Sequence, residues 1–160
     1  MPILWRPQLS VGNEIIDRDH KYLFCLINTV ELVFGKNKKS KDIELVLDQL
    51  EEFAKEHFAR EQKIQTDINF PYFLLHESLH NELMYQLEKI ILNIRIAYLR
   101  CHTDPEAYDI EIEKLHKVLR HWILDHVLKH DLGMKKYFQI YEIPEQNLVQ
   151  YFTKNTVDAA

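Results

Sequence analysis

Residues 43–64 read IELVLDQLEEFAKEHFAREQKI, and Ile43, Val46, Leu50, Ala54, His57, Glu61 and Ile64 recur along them at steps of three and four. That spacing is the period of one face of an α-helix, not the two-residue alternation of a strand. The stripe is apolar except at two positions, which carry an imidazole and a carboxylate. Buried polar groups are costly unless they are paired or bound to metal, so a core-facing His57 and Glu61 signal chemistry inside the fold.

The same period continues on either side. Residues 13–34 set His20, Phe24, Ile27 and Phe34 on one stripe, and Gly35 is the expected left-handed stop. Ser40 is the expected cap of the second helix, which should close before the TDINF turn of residues 66–70. The third helix is expected to begin near Pro71 and reach Arg100, aligning Phe73, His76, His80, Leu83, Leu87, Ile90 and Ile94. The fourth is expected from the cap Asp104 and Pro105, with Ile112, Leu115, Leu119, Trp122 and His126 inward until Gly133 disturbs it.

Only three glycines and five prolines punctuate the chain, and short loops make neighbouring helices antiparallel. The expectation is an all-α, up-down-up-down four-helix bundle over residues 1–137, with a C-terminal extension, residues 138–160, docked or disordered. At 160 residues and 46% hydrophobic content the chain can fill one sizeable core. With 20 basic against 25 acidic residues the formal charge is −5, which does not imply a nucleic-acid partner. The opening MPILWRPQLS has no signal-peptide pattern and no window of about 18 apolar residues crosses a bilayer, so a cytoplasmic protein without a membrane partner is expected. Cys25 and Cys101 lie in apolar helical patterns and are expected to be buried free thiols.

Each expected helix brings donors to the interior. His57 with Glu61, and His76 with His80, are four residues apart, hence about 40° apart around the helix and about 6 Å along it, close enough to reach one metal ion or two adjacent ones. His126 and Asp131 are five apart, about 140° around an ideal helix, so the backbone between them is expected to distort.

These residues lie in the strings WRPQLSVGNEIIDRDH (5–20), HFARE (57–61), HESLH (76–80) and HWILDHVLKHD (121–131). Together they resemble the bacterial hemerythrins over about residues 5–131, with all seven ligand positions of that family's motif filled in order. The resemblance implies two iron ions joined by an oxo or hydroxo bridge, with His76, His80 and His126 on the first, His20 and His57 on the second, and Glu61 and Asp131 bridging. It leaves one place open on the second iron, where the family takes up dioxygen reversibly and without turnover. Phe24, Phe58, Trp122 and Ile123 are the expected apolar wall of that oxygen pocket. Dioxygen is then the expected ligand, for storage, delivery or sensing, and no enzyme activity is expected.

Other readings compete with this one. His102, His116, His121 and His130 are expected at the surface or rim, and Trp122 as packing against ligand rings. A ferritin-like or peroxidase-type di-iron protein handling iron or peroxide is the alternative, and E-x-x-H strings do occur at Glu77 with His80 and at Glu113 with His116. That reading leaves His20, His57, His76 and His126 buried without work. The stretch between His80 and His126 is longer than in the family, and Ile90, Ile91, Ile94, Tyr98, Ile110 and Ile112 are expected to pack together there. Ile140, Tyr141, Ile143, Leu148, Val149, Tyr151 and Phe152 make the tail apolar enough to dock on the bundle, on a second copy or on another protein.

Overall fold

The computed structural model describes residues 2–36, 42–100, 103 and 105–138. Four long helices follow one another: α1 (Glu14–Lys36), α2 (Asp42–Asp67), α3 (Phe73–Leu99) and α4 (Pro105–Lys129). A 3-10 turn at Pro7–Leu9 precedes them, and a second at Asp131–Met134 leads into the short helix α5 (Lys135–Phe138). The all-α four-helix bundle expected from the periodicity is the architecture observed.

Contacts along the helices give their directions. The start of α1 meets the end of α2, where Ile15 and Ile16 pack with Ile64 and Ile68. The start of α2 meets the end of α3 through Arg95 to Glu44 at 3.1 Å. The end of α3 meets the start of α4 through the rings of Tyr98 and Tyr108. The end of α1 returns to α4 through Arg120 to Glu31 at 2.7 Å. Neighbours are therefore antiparallel all the way round.

Local chemistry sets the helix ends. Asn13 caps α1, its Oδ1 accepting from the Ile15 and Ile16 amides at 3.0 and 3.1 Å. Gly12 precedes it at φ 82°, a conformation open to glycine. At the other end of α2, Asn69 sits at φ 51°. The Phe70 amide bonds the Gln65 carbonyl at 2.8 Å and the Asn69 amide that of Thr66 at 3.1 Å, which is a Schellman closure. Pro105 is the first residue of α4, where its missing N–H costs nothing.

Several boundaries differ from expectation. Helix α1 runs through Gly35 to Lys36, so the stop lies beyond the glycine. Helix α2 takes in Thr66 and Asp67 because the Schellman closure, not the polar turn residues, ends it. Pro71 falls in the turn before α3. Ser40, Cys101, His102, Asp104 and residues 139–160 lie outside the described residues. Phe138 is buried and packs with Val11, Ile15 and Met134.

Among the described residues the interior holds two apolar clusters. The larger spans all four long helices from Phe24 to Val127, and the smaller joins Val11, Ile15, Ile16, Ile64, Ile68, Phe70, Met134 and Phe138 at one end. Ile90, Ile91, Ile94 and Ile112 belong to the larger, but Ile110 is 46% exposed, facing outward on α4. Cys25 is free and exposed, against expectation, because it sits one residue, about 100°, round from the buried Phe24. No helix among the described residues is long and apolar enough to cross a membrane.

Candidate metal centre

A polar layer accompanies the two apolar clusters. His20 comes from α1, His57 and Glu61 from α2, His76 and His80 from α3, His126 from α4, and Asp131 from the turn after it. None of the seven is more than 4% exposed. Helix α4 ends at Lys129, and Asp131 opens the 3-10 turn; that break is the distortion expected from the five-residue spacing, and it lets Asp131 face inward beside His126.

The donors converge as two groups sharing one member. Ligand atoms of Glu61, His76, His80, His126 and Asp131 lie within 4.8 Å of one another, and so do those of His20, His57 and Glu61. Asp131 Oδ1 is 2.9 Å from His76 Nε2 and 3.0 Å from His126 Nε2, while its Oδ2 is 3.2 Å from His20 Nε2. Glu61 Oε1 is 3.1 Å from His76 Nδ1 and 3.5 Å from His80 Nε2, and its Oε2 is 3.4 Å from His57 Nε2. Each carboxylate thus presents one oxygen to either group.

Burial favours the neutral form of two of the imidazoles, His57 and His80. Burial pulls His57 down to about 4, against the opposing pull of Asp19. Burial, with His126 and His76 nearby, holds His80 far below the ordinary histidine value. Burial and the Asp131 and Asp19 charges push Glu61 well above the usual carboxylate range. Burial pushes Asp131 the same way, yet its contacts with His126, His20 and His76 bring it well below that range.

The donor set suits cations. His20 Nδ1 and Nε2, His80 Nδ1, Glu61 Oε2 and Asp131 Oδ2 are buried without completing a hydrogen bond, and His80 Nε2 lies 3.0 Å from His126 Nε2. Lone pairs gathered in this way are unfavourable unless a positive charge sits among them. Five imidazoles and two carboxylates with no thiolate match borderline first-row ions such as iron, and a shared carboxylate suits two ions side by side.

Aromatic side chains border the cluster. Phe58 stacks on His80, and its ring is 5.7 Å from Trp122 and 5.8 Å from His126. Ile123 is buried in the same cluster, and Phe24 is buried one turn beyond His20 under Trp5 at 5.9 Å.

Three residues here escaped the reading of the sequence. Asp19 is buried, with Arg60 Nε donating to its Oδ2 at 2.7 Å and His57 Nδ1 at 3.5 Å. Gln65 is fully buried; its amide nitrogen donates to Glu61 Oε1 at 2.9 Å and meets His76 Nδ1. The visible signal for Gln65 was its place four residues after Glu61; Asp19 and Arg60 meet across two helices and carry none. Of the remaining histidines, His121 is exposed, His130 lies at the rim 5.7 Å from the His126 ring, and His116 packs on Phe34. Glu113 is exposed, and the donor groups among the described residues include neither Glu77 nor His116, so the second carboxylate pattern is not assembled.

Comparison with known proteins points to one family. The chain is 26% identical over 131 residues to a bacteriohemerythrin of Campylobacter jejuni, covering 82% of this chain and 91% of that protein. It is 23% identical over 131 residues to one of Pseudomonas aeruginosa, covering 82% and 78%, and 21% identical over 125 residues to one of Stenotrophomonas maltophilia, covering 78% and 74%. The family model described as the hemerythrin HHE cation binding domain matches residues 11–138. With that match over most of its length, the chain belongs to the hemerythrin family.

Proposed function

We propose that this chain is a non-haem di-iron protein that binds dioxygen reversibly and does not turn it over. His76, His80 and His126 would hold one iron, His20 and His57 the other, and Glu61 and Asp131 would span the two. The observation that carries this reading is the pair of donor groups meeting at Glu61, three imidazoles on one side and two on the other. When bound, a pair of ferrous ions supplies the two electrons that dioxygen uptake requires.

The chain's own part is to prepare and protect that place. Two histidines instead of three on one side leave it less crowded. Glu61 and Asp131 fix the separation of the two positions by presenting an oxygen to each. Phe58, Trp122, Ile123 and Phe24 would exclude water, which otherwise fills an open position and favours oxidation.

Metal analysis of the purified protein, with visible spectra after dithionite reduction and after air exposure, tests the reading. Two irons per chain and a colour that cycles with oxygen support it. Mineral uptake far beyond two irons would favour a ferritin-like role, and steady peroxide consumption a peroxidase.

A further inference from the structure

His57 presents its two ring nitrogens to different neighbours. Nε2 looks inward, 3.4 Å from Glu61 Oε2, and the ring meets that of His20 edge-on at 5.0 Å. Nδ1 looks outward, completes no hydrogen bond, and has the Asp19 carboxylate 3.5 Å away. An imidazole that gives one nitrogen to a metal carries its proton on the other, and a buried N–H needs an acceptor. Asp19 is that acceptor: it is only 3% exposed and is held from behind by Arg60 Nε at 2.7 Å. Arg60 also reaches Glu56 at 3.3 Å, so the three side chains tie α1 to α2 beside the donors.

Among the described residues no other imidazole of the cluster shows this arrangement. The outer nitrogen of His76 meets the neutral amide of Gln65 and the bridging Glu61, and those of His20 and His80 have no acceptor. A carboxylate outside the seven donors therefore stands behind one side of the pair alone.

We propose that Asp19 is a positioning residue for His57, accepting the Nδ1 proton so that Nε2 is fixed, lone pair inward, on the metal ion shared with His20. The inference rests on the di-iron reading above and deepens it. With the proton on Nδ1, the His57–Asp19 contact of 3.5 Å is a charge-assisted one. The anionic partner makes His57 a stronger donor, which holds that ion more tightly and favours its ferric state.

The test uses the iron-loaded full chain and its Asp19→Asn and Asp19→Glu variants. A partner of this kind is worth about 10–100-fold in metal affinity, so Asp19→Asn is expected to lose one of its two irons to a chelator that much faster, with the other retained as in the parent. Its midpoint potential is expected to rise. One of the hyperfine-shifted, solvent-exchangeable imidazole N–H resonances of the diferrous form is expected to move alone, and Asp19→Glu is expected to recover part of the change. Retention of both irons at the parental rate with unchanged N–H resonances would overturn the role of Asp19. So would equal loss of both irons with unchanged resonances and potential, which would make Asp19 a fold-stabilising group only. Failure of the parent protein to hold two irons would instead overturn the di-iron reading itself.

Discussion

The Phe58 ring lies nearly flat on the His80 imidazole, with centroids 3.9 Å apart and planes inclined by 18°. The same phenyl comes within 5.2 Å of the His57 ring and 5.8 Å of the His126 ring, so one side chain from α2 touches imidazoles of both donor groups. In the proposed centre its contribution would be steric and dielectric, fixing ring orientation and keeping water away.

Phe58→Ala is expected to cost about 3–5 kcal/mol in unfolding free energy, the range for emptying a buried aromatic site. It is also expected to shorten the lifetime of the oxygen-bound form by admitting water. Chemical denaturation and the rate of colour loss in air measure the two effects. A variant with parental oxidation rate would remove Phe58 from the pocket wall.

His80→Ala and His121→Ala separate ligand from bystander. His80 is buried in the cluster, so its loss is expected to bring iron content below two per chain and to lower the melting temperature. His121 is exposed, with Nδ1 on the Lys117 carbonyl at 2.8 Å, and its replacement is expected to change stability by less than about 0.5 kcal/mol with iron unchanged. The opposite pattern in a metal assay would refute the assignment.

Removing the metal by chelation is expected to lower the melting temperature, because buried donors that complete no hydrogen bond lose the charge that satisfies them. Restoring ferrous iron at a hundredfold excess over its dissociation constant is expected to return about 2.7 kcal/mol for each ion bound. Calorimetry of the two forms decides this, and identical melting curves would count against a preformed site.

Asn28 tests the N-terminal segment independently of the metal. Its Oδ1 accepts from the Ile3 amide at 2.7 Å and its Nδ2 donates to the Ile3 carbonyl at 2.8 Å, which seats Trp5 against Phe24. Asn28→Ala is expected to cost about 1–3 kcal/mol by thermal melting, with iron content unchanged.

The bundle was legible because its helices bury a stripe at regular steps: Ile43 through Ile64 on α2 are all buried at the spacing that named them. The burial and convergence of the seven polar side chains were legible for the same reason, since they are polar breaks in apolar stripes, and even the kink before Asp131 followed from a five-residue interval. What lay hidden depends on partners far apart in sequence. Asp19 reads as one more polar residue beside His20 until α2 brings Arg60 against it, and Gln65 gains meaning only from His76 on the next helix. Cys25 and Ile110 were misjudged because an apolar side chain just off a buried stripe looks the same in sequence as one on it.

On the proposed reading, seven side chains from four helices and the following turn converge on two metal ions. A crystal structure of the iron-loaded protein with diffraction measured across the iron absorption edge addresses it most directly. Two anomalous peaks are expected, one among His76, His80 and His126 and one beside His20 and His57, with Glu61 and Asp131 between them. A single peak, a peak at the zinc edge alone, or donor side chains turned to solvent would contradict the account.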